Sequence, residues 1–349
     1  MKKISVGKAL IQILERQGVQ FIFGIPGVHT VELYRALSGS KIRHITARHE
    51  QAAGFMADGY ARLCGKPGVC MVITGPGMTN ILTAMAQARS DSIPMLIISG
   101  VNKLVSKNSV RAPLHDLPDQ GKLVKQIAIA SYTIKEIKET YSVMNKAFEK
   151  MTSRRPGPVH IQIPVDVMHE TMPDIASFNY SPKKLLTIPR SDILEASSTI
   201  NKSLKPVIIL GGGARSAKEK IKKFVAALQA PTVSTTNARD LLGQHYLHIP
   251  ASPSLKCVRN LLKEADLVIA LGTEMGQTDY DMYEDGLFPV LTTLIRVDID
   301  KNQLKKSPPG SKTIQGDVST FCSEVLKFTK NKQNKFSKEA VETCKKLVQ

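Results

Sequence analysis

Tryptophan is absent from this 349-residue chain, and aromatic residues make up only 5% of it. A surface that holds single-stranded nucleic acid by base stacking has little to build on here. The net charge of +18 points toward polyanions. The lysines, however, are dispersed along the chain rather than gathered in one basic stripe, so they read as solvated faces and nucleic-acid binding is not expected. The five cysteines, Cys64, Cys70, Cys257, Cys322 and Cys344, form no CxxC pair and no Cys/His cluster. That spacing excludes a zinc site and a disulfide framework and predicts reduced, mostly buried thiols. No apolar run reaches the roughly 18 to 20 residues that cross a bilayer. The first residues, MKKISVGKALIQILERQG, put apolar positions at helical spacing and are broken by Glu15 and Arg16, so they predict a helix rather than a signal peptide. The expectation is a soluble, cytoplasmic protein with no membrane partner.

What is present is length and alternation. A chain of this size with 42% hydrophobic residues can bury two cores. Strand-like and helix-like segments alternate, which predicts an α/β fold with two open, doubly wound, mainly parallel sheets. In the first half a helix is predicted over 4–18 and a short strand over 21–27. A helix from Val28 follows, stopped by Gly39 as its cap. IRHIT reads as a buried strand before a helix from Glu50. GVCMVITGPG and PMLIISG are buried strands, helices lie near 121–152, and a strand covers 157–167. HETMPDIASFNYSPKKLLTIPRSD has no period and is rich in proline and polar residues. The resulting division is a domain over 1–170, a linker over 171–189, a second domain over 190–330 and a basic tail over 331–349. In the second domain PVIILGGGAR, ADLVIALGTEMG and TLIRVDIDKNQL repeat the strand-then-loop pattern.

The stretch ARHEQAAGFMADGYAR, residues 47–62, concentrates the interest. Gly54, Ala57 and Ala61 recur at spacings of three and four, a narrow small-residue face on a helix. Gly54 and Gly59 each cost about 1 kcal/mol relative to alanine there, which calls for a packing reason. Glu50 falls in the first turn, where the helix dipole favours a carboxylate. It reads either as a solvated N-terminal acid or as a carboxylate held in a close-packed site. In open α/β sheets ligands sit beyond the carboxyl ends of the strands, and GIPGVH, TGPGMTN, SGVN and GGGARS all fall there. Gly24 to Gly27 and Gly75-Pro76-Gly77 would let backbone amides approach a ligand, with Thr79 and Asn80 opening the next helix. GGGARS lacks the GxGxxG spacing of a dinucleotide fingerprint.

The set FGIPGVHTVELY, RHEQAAGFMADGYAR, TGPGMTN with DSIPMLIISG, and RRPGPVHIQIPVDV resembles the pyrimidine-binding domain of thiamine-diphosphate enzymes of the acetolactate synthase and 2-oxoacid decarboxylase family. The second half is similar to that family's central domain, so the resemblance covers about residues 1–330. GIPGVHTVELYR, the Glu50 segment and LHDLPDQ are most similar to the family's 5-guanidino-2-oxopentanoate decarboxylases. The resemblance implies that Glu50 hydrogen-bonds N1′ of the cofactor's aminopyrimidine and so favours the tautomer that takes the proton from the thiazolium. Such a carboxylate needs a dry, packed site, and the bound cofactor then serves as electron sink for loss of carbon dioxide. It also implies that Gly24, Ile25, Pro26, Gly27, Val28 and His29 face thiazolium and substrate, while Pro76, Gly77 and Asn80 line the pyrimidine end. His29 reads equally as a cap on the helix that follows it.

Two departures favour a decarboxylase over a flavin-containing carboligase. His115 and Asp116 stand near the place of a Phe-Gln pair in acetolactate synthases, which makes His115 a candidate for proton transfer. The central domain also shows little of their flavin-contact pattern, so FAD is not expected. A third departure is larger. Family members hold magnesium and the diphosphate in a further domain marked by GDG and a later NN, whereas here Gly316-Asp317 is followed by Val318. The expectation is therefore one wall of a site completed by a separate diphosphate-domain subunit or by the missing part of a longer enzyme, in a homo-oligomer. The substrate would be pyruvate, a guanidino 2-oxo acid or another small 2-oxo acid. The alternative is a non-catalytic remnant that binds a nucleotide-like ligand or a protein.

Overall fold

A computed structural model describes residues 3–104, 113–152, 155–174, 186–276, 279, 291–331 and 335–348. The chain divides into two compact units, Met1–Lys183 and Lys184–Gln349. In the first, β1 (Lys3–Ser5) runs into α1 (Val6–Arg16), whose N-cap Ser5 side chain accepts the Lys8 N–H. Next come β2 (Phe21–Gly24), α2 (Val31–Leu37), β3 (Arg43–Thr46), α3 (Glu50–Cys64), β4 (Gly68–Val72), α4 (Pro76–Ser90) and β5 (Met95–Val101). The unit closes with α5 (Gln120–Lys125), β6 (Ala130–Thr133), α6 (Thr140–Thr152), β7 (Pro158–Pro164), α7 (Val165–His169) and β8 (Thr171–Pro173).

Six of these strands form one sheet in the order β3-β2-β4-β5-β7-β6, every neighbouring pair parallel. β4 is buried along its whole length, as a strand covered on both faces must be. Leu96 and Ile98 point into the core beneath α1 and α6, while Met95 and Ile97 point into the core beneath α3 and α4. β2 is followed in space by β3 on one side and β4 on the other, so the loops leaving β2 and β4 diverge and open a crevice at the carboxyl end of the sheet.

Several expectations change. IRHIT is half-exposed because β3 is the edge strand. Gly39 does not cap α2, whose C-cap is Ser38 in right-handed helical conformation. The span 121–152 is not all helical: β6 lies within it, and its side chains are only half-buried, which hides it from a search for apolar runs. The first three residues of the expected linker form β8, which pairs antiparallel with β1; residues 175–185 of that linker lie outside the described residues.

The second unit is α8 (Arg190–Lys202), β9 (Pro206–Leu210), α9 (Lys218–Leu228), β10 (Thr232–Ser234), β11 (His248–Ile249), α10 (Lys256–Glu264), β12 (Leu267–Leu271), β13 (Leu294–Asp298), α11 (Lys301–Leu304), β14 (Lys312–Gln315), α12 (Val318–Leu326) and α13 (Lys335–Val348). Its sheet, in the order β11-β10-β9-β12-β13-β14, is again parallel throughout. β9 and β12 flank the switch point, and a Cβ on Gly211 would lie 2.2 Å from the Gly272 carbonyl oxygen. The segment expected to be a basic tail carries α13, and Val341 and Cys344 are buried in this unit's core.

Candidate active site

The crevice of the first unit is closed by backbone contacts that only glycine permits. A Cβ on Gly24 would fall 2.1 Å from the Met71 carbonyl oxygen, and one on Gly27 would fall 2.5 Å from Ile73 Cγ2. The loop after β2 is pinned by Thr30, whose hydroxyl donates to the Gly27 carbonyl at 3.1 Å. On its outer side Tyr34 meets His44 at 3.1 Å, and partial burial pushes the His44 pKa down.

Glu50 is the first residue of α3, behind the N-cap His49. Although it lies in a first turn, it is only 8% exposed, which removes the reading as a solvated acid. Its Oε2 accepts from Asn80 Nδ2 at 2.9 Å. A Cβ on Gly77 would stand 3.5 Å from its Oε1 and 2.7 Å from Ile73 Cγ1, so Gly77 keeps open the space beside the carboxylate. The small-residue face has its packing reason at one glycine only. A Cβ on Gly54 would meet Ala84 Cβ at 2.5 Å, whereas nothing lies within 4 Å of a Cβ on Gly59.

His29 is buried and does not cap α2; the cap residue Thr30 makes no side-chain cap bond. Instead its Nε2 meets Asn102 Oδ1 at 3.0 Å. The Asn102 amide is oriented by its own Nδ2, which donates to the Leu114 carbonyl at 2.9 Å and more weakly to Asp116 Oδ1 at 3.4 Å. Asn102 Oδ1 is therefore an acceptor, so His29 carries a proton on Nε2. Its Nδ1 is buried with no hydrogen-bond partner, an unmet polar atom of the kind a ligand satisfies.

Among the other expected residues, Gly24 is buried, Ile25 and Gly27 are partly buried, and Pro26 and Val28 are exposed. Thr79 is exposed and donates to the Pro76 carbonyl at 3.1 Å, while Asn80 is partly buried. His115 is exposed with φ +54°. Its carbonyl oxygen packs against Gly75, where a Cβ would lie 2.4 Å away. Gly24, Gly27, Gly77, Asn80 and Glu50 are thus brought together through Met71 and Ile73, and His29 is tied through Asn102 to the 114–116 turn. Sequence reasoning does not reach Asn102. In the sequence Asn102 is only the end of SGVN, and its chemistry shows only once His29 is seen beside it. Among the described residues no group of three or more His, Cys, Asp or Glu is placed to hold a metal ion, and no helix is long and apolar enough to cross a membrane.

Residues 4–123 match the thiamine pyrophosphate enzyme N-terminal TPP binding domain, and residues 193–325 match the thiamine pyrophosphate enzyme central domain. The chain is 41% identical over 327 residues to the probable 2-ketoarginine decarboxylase AruI of Pseudomonas aeruginosa, a match covering 93% of this chain and 58% of that protein. It is 35% identical over 334 residues to the acetolactate synthase isozyme 1 large subunit of Escherichia coli, with the same coverage of 93% and 58%. The probable acetolactate synthase large subunit of Methanococcus aeolicus is 31% identical over 347 residues, 95% of this chain and 56% of that one. The chain therefore spans a little over half the length of these curated relatives. With both domains matched in order over parallel α/β sheets, it belongs to the thiamine pyrophosphate enzyme family and carries that family's N-terminal TPP-binding and central domains.

Proposed function

We propose that the first unit forms the aminopyrimidine wall of a thiamine-diphosphate site in an enzyme that decarboxylates a small 2-oxo acid. The observation that carries this reading is Glu50: a carboxylate buried in a first turn, held by Asn80 and left open on the side kept clear by Gly77. The residues fit the cofactor's pyrimidine end, since a buried carboxylate satisfies its polarity best by accepting from an N–H donor. Bound there, thiamine diphosphate supplies the electron sink that decarboxylation requires. Glu50 orients it and holds the proton equilibrium at the ring nitrogen it contacts. Asn80 fixes the carboxylate rotamer. Met71, Ile73 and the glycine backbone exclude water from that end.

His29, with Nε2–H committed to Asn102, offers Nδ1 to a proton from the substrate side. His115 lies on the neighbouring turn, where an exposed imidazole can exchange protons with solvent. In this reading the diphosphate is held through magnesium in a homo-oligomer or with a separate diphosphate-domain subunit, and no flavin enters it. The Escherichia coli relative is a synthase, so carboligation is the other product to assay.

The test compares the complete enzyme with its Glu50→Gln variant, in carbon dioxide release from pyruvate and from guanidino 2-oxo acids and in calorimetric titration with thiamine diphosphate and magnesium. Loss of a group acting in proton transfer lowers the rate by roughly 100-fold or more. Turnover unchanged by Glu50→Gln would remove the proposal.

A further inference from the structure

The turn that starts α4 lacks any cap of its own. Its N-cap is Gly75, at φ +65° and with no side chain to offer, yet this turn sets where Asn80 and therefore Glu50 stand. Thr79 N–H donates to the Gly75 carbonyl at 2.9 Å, so Gly75 is rigidly joined to the helix behind it. What fixes Gly75 comes from another element. Gln120, the first residue of α5 and 5% exposed, accepts at Oε1 from Gly75 N–H at 3.0 Å and from the Thr74 hydroxyl at 2.9 Å. On its other side the turn is backed by the His115 carbonyl.

The amide bonds of this network have fixed directions. A backbone N–H can only donate, so Gln120 Oε1 is the acceptor and Nε2 the donor. Nε2 donates to Ser99 Oγ at 3.1 Å and to Gln162 Oε1 at 3.4 Å, and Gln162 Nε2 donates to Thr133 Oγ1 at 2.9 Å. Beyond it, Ser99 Oγ lies 2.8 Å from His160 Nε2, and His160 Nδ1 lies 2.8 Å from Ser131 Oγ. The chain runs from the turn through β5 and β7 to β6 on the sheet face that carries α3 and α4, and a buried network satisfied at every member is stiff.

We infer that Gln120 is a positioning residue for Glu50: its amide clamps the Thr74-Gly75 turn to the body of the sheet and so fixes Asn80 against the carboxylate. This rests on the role given to Glu50 above.

The experiment is NMR on the isotopically labelled full chain, in the parent and in Gln120→Leu and Gln120→Glu. In Gln120→Leu the Gly75 amide is expected to exchange with solvent about tenfold faster, the equivalent of one lost hydrogen bond. The Asn80 side-chain amide protons are expected to move in chemical shift and to exchange faster as their bond to Glu50 loosens. Gln120→Glu presents an oxygen to Gly75 in either protonation state and restores both signals. If Gln120→Leu does not fold, Thr74→Val removes one of the two donors to the clamp and is read by the same Asn80 signal.

Faster exchange at Gly75 with an unchanged Asn80 signal would reduce Gln120 to a structural residue and overturn the inference while leaving the role of Glu50 intact. Failure of that role shows instead as Glu50→Gln turnover equal to the parent's in the complete enzyme.

Discussion

His160 is completely buried between two hydroxyls, and burial pushes its pKa down to about 3. The unfolded chain holds this imidazole near its usual value of about 6.5. Between those two values the unfolded state binds the extra proton, so stability rises with pH through the window and is lost as pH falls below about 6.5. By pH 4.5 the loss from this one residue is about 2–3 kcal/mol. A His160→Gln variant, judged by urea unfolding at a series of pH values, should be less stable than the parent at pH 8 and show a shallower decline between pH 6.5 and pH 4. Equal slopes would mean that His160 is not held neutral. The network explains why this part of the site was illegible in sequence. Thr74, Ser99, Gln120, Ser131, His160 and Gln162 are scattered over a turn, three strands and a helix, and each reads alone as a stray polar residue in an apolar segment. Glu50 was legible for the opposite reason, because it stands beside its own small-residue face within a single stretch. His29 was half-legible: its place after the glycine loop was visible, but its partner is 73 residues away.

At the scale of the element, α3 holds two helical glycines with opposite circumstances. Gly54 lies against α4, and Gly54→Ala forces a methyl group to within 2.5 Å of Ala84 Cβ, an overpacking cost of about 1–3 kcal/mol. Gly59 has open space around it, and Gly59→Ala should stabilise by about 1 kcal/mol through helix propensity. Thermal unfolding of the two single variants checks both: Tm falls for the first and rises for the second, and shifts of one sign would refute this account of the helix. Spacing alone could place a small-residue face but could not tell which glycine was in contact. The buried strands β4, β9 and β12 were legible for a simpler reason, as unbroken apolar runs. β3 and β6 are sheet edges with half-exposed residues, and there composition carries less of the decision.

Across the whole molecule, two units each own a core. In the second, Phe224 and Phe321 pack with ring centroids 6.1 Å apart, both fully buried. Phe224→Ala should cost about 3–5 kcal/mol and speed amide exchange in β9, β12 and β13, while amides of β4 and β5 keep the parent's rates. A matching acceleration in β4 and β5 would mean that the units do not unfold separately. The five thiols are distributed just as unevenly. Cys70, Cys322 and Cys344 are buried and Cys257 is half-buried, and burial pushes Cys70 and Cys322 up and Cys344 up to about 11. Cys64 is exposed, at the far end of the helix that Glu50 begins, about 20 Å away at 1.5 Å per residue. Brief maleimide treatment of the native protein should therefore attach one fluorophore, at Cys64. The labelled helix becomes an optical reporter of events at its opposite end, with no residue of the site altered to install it.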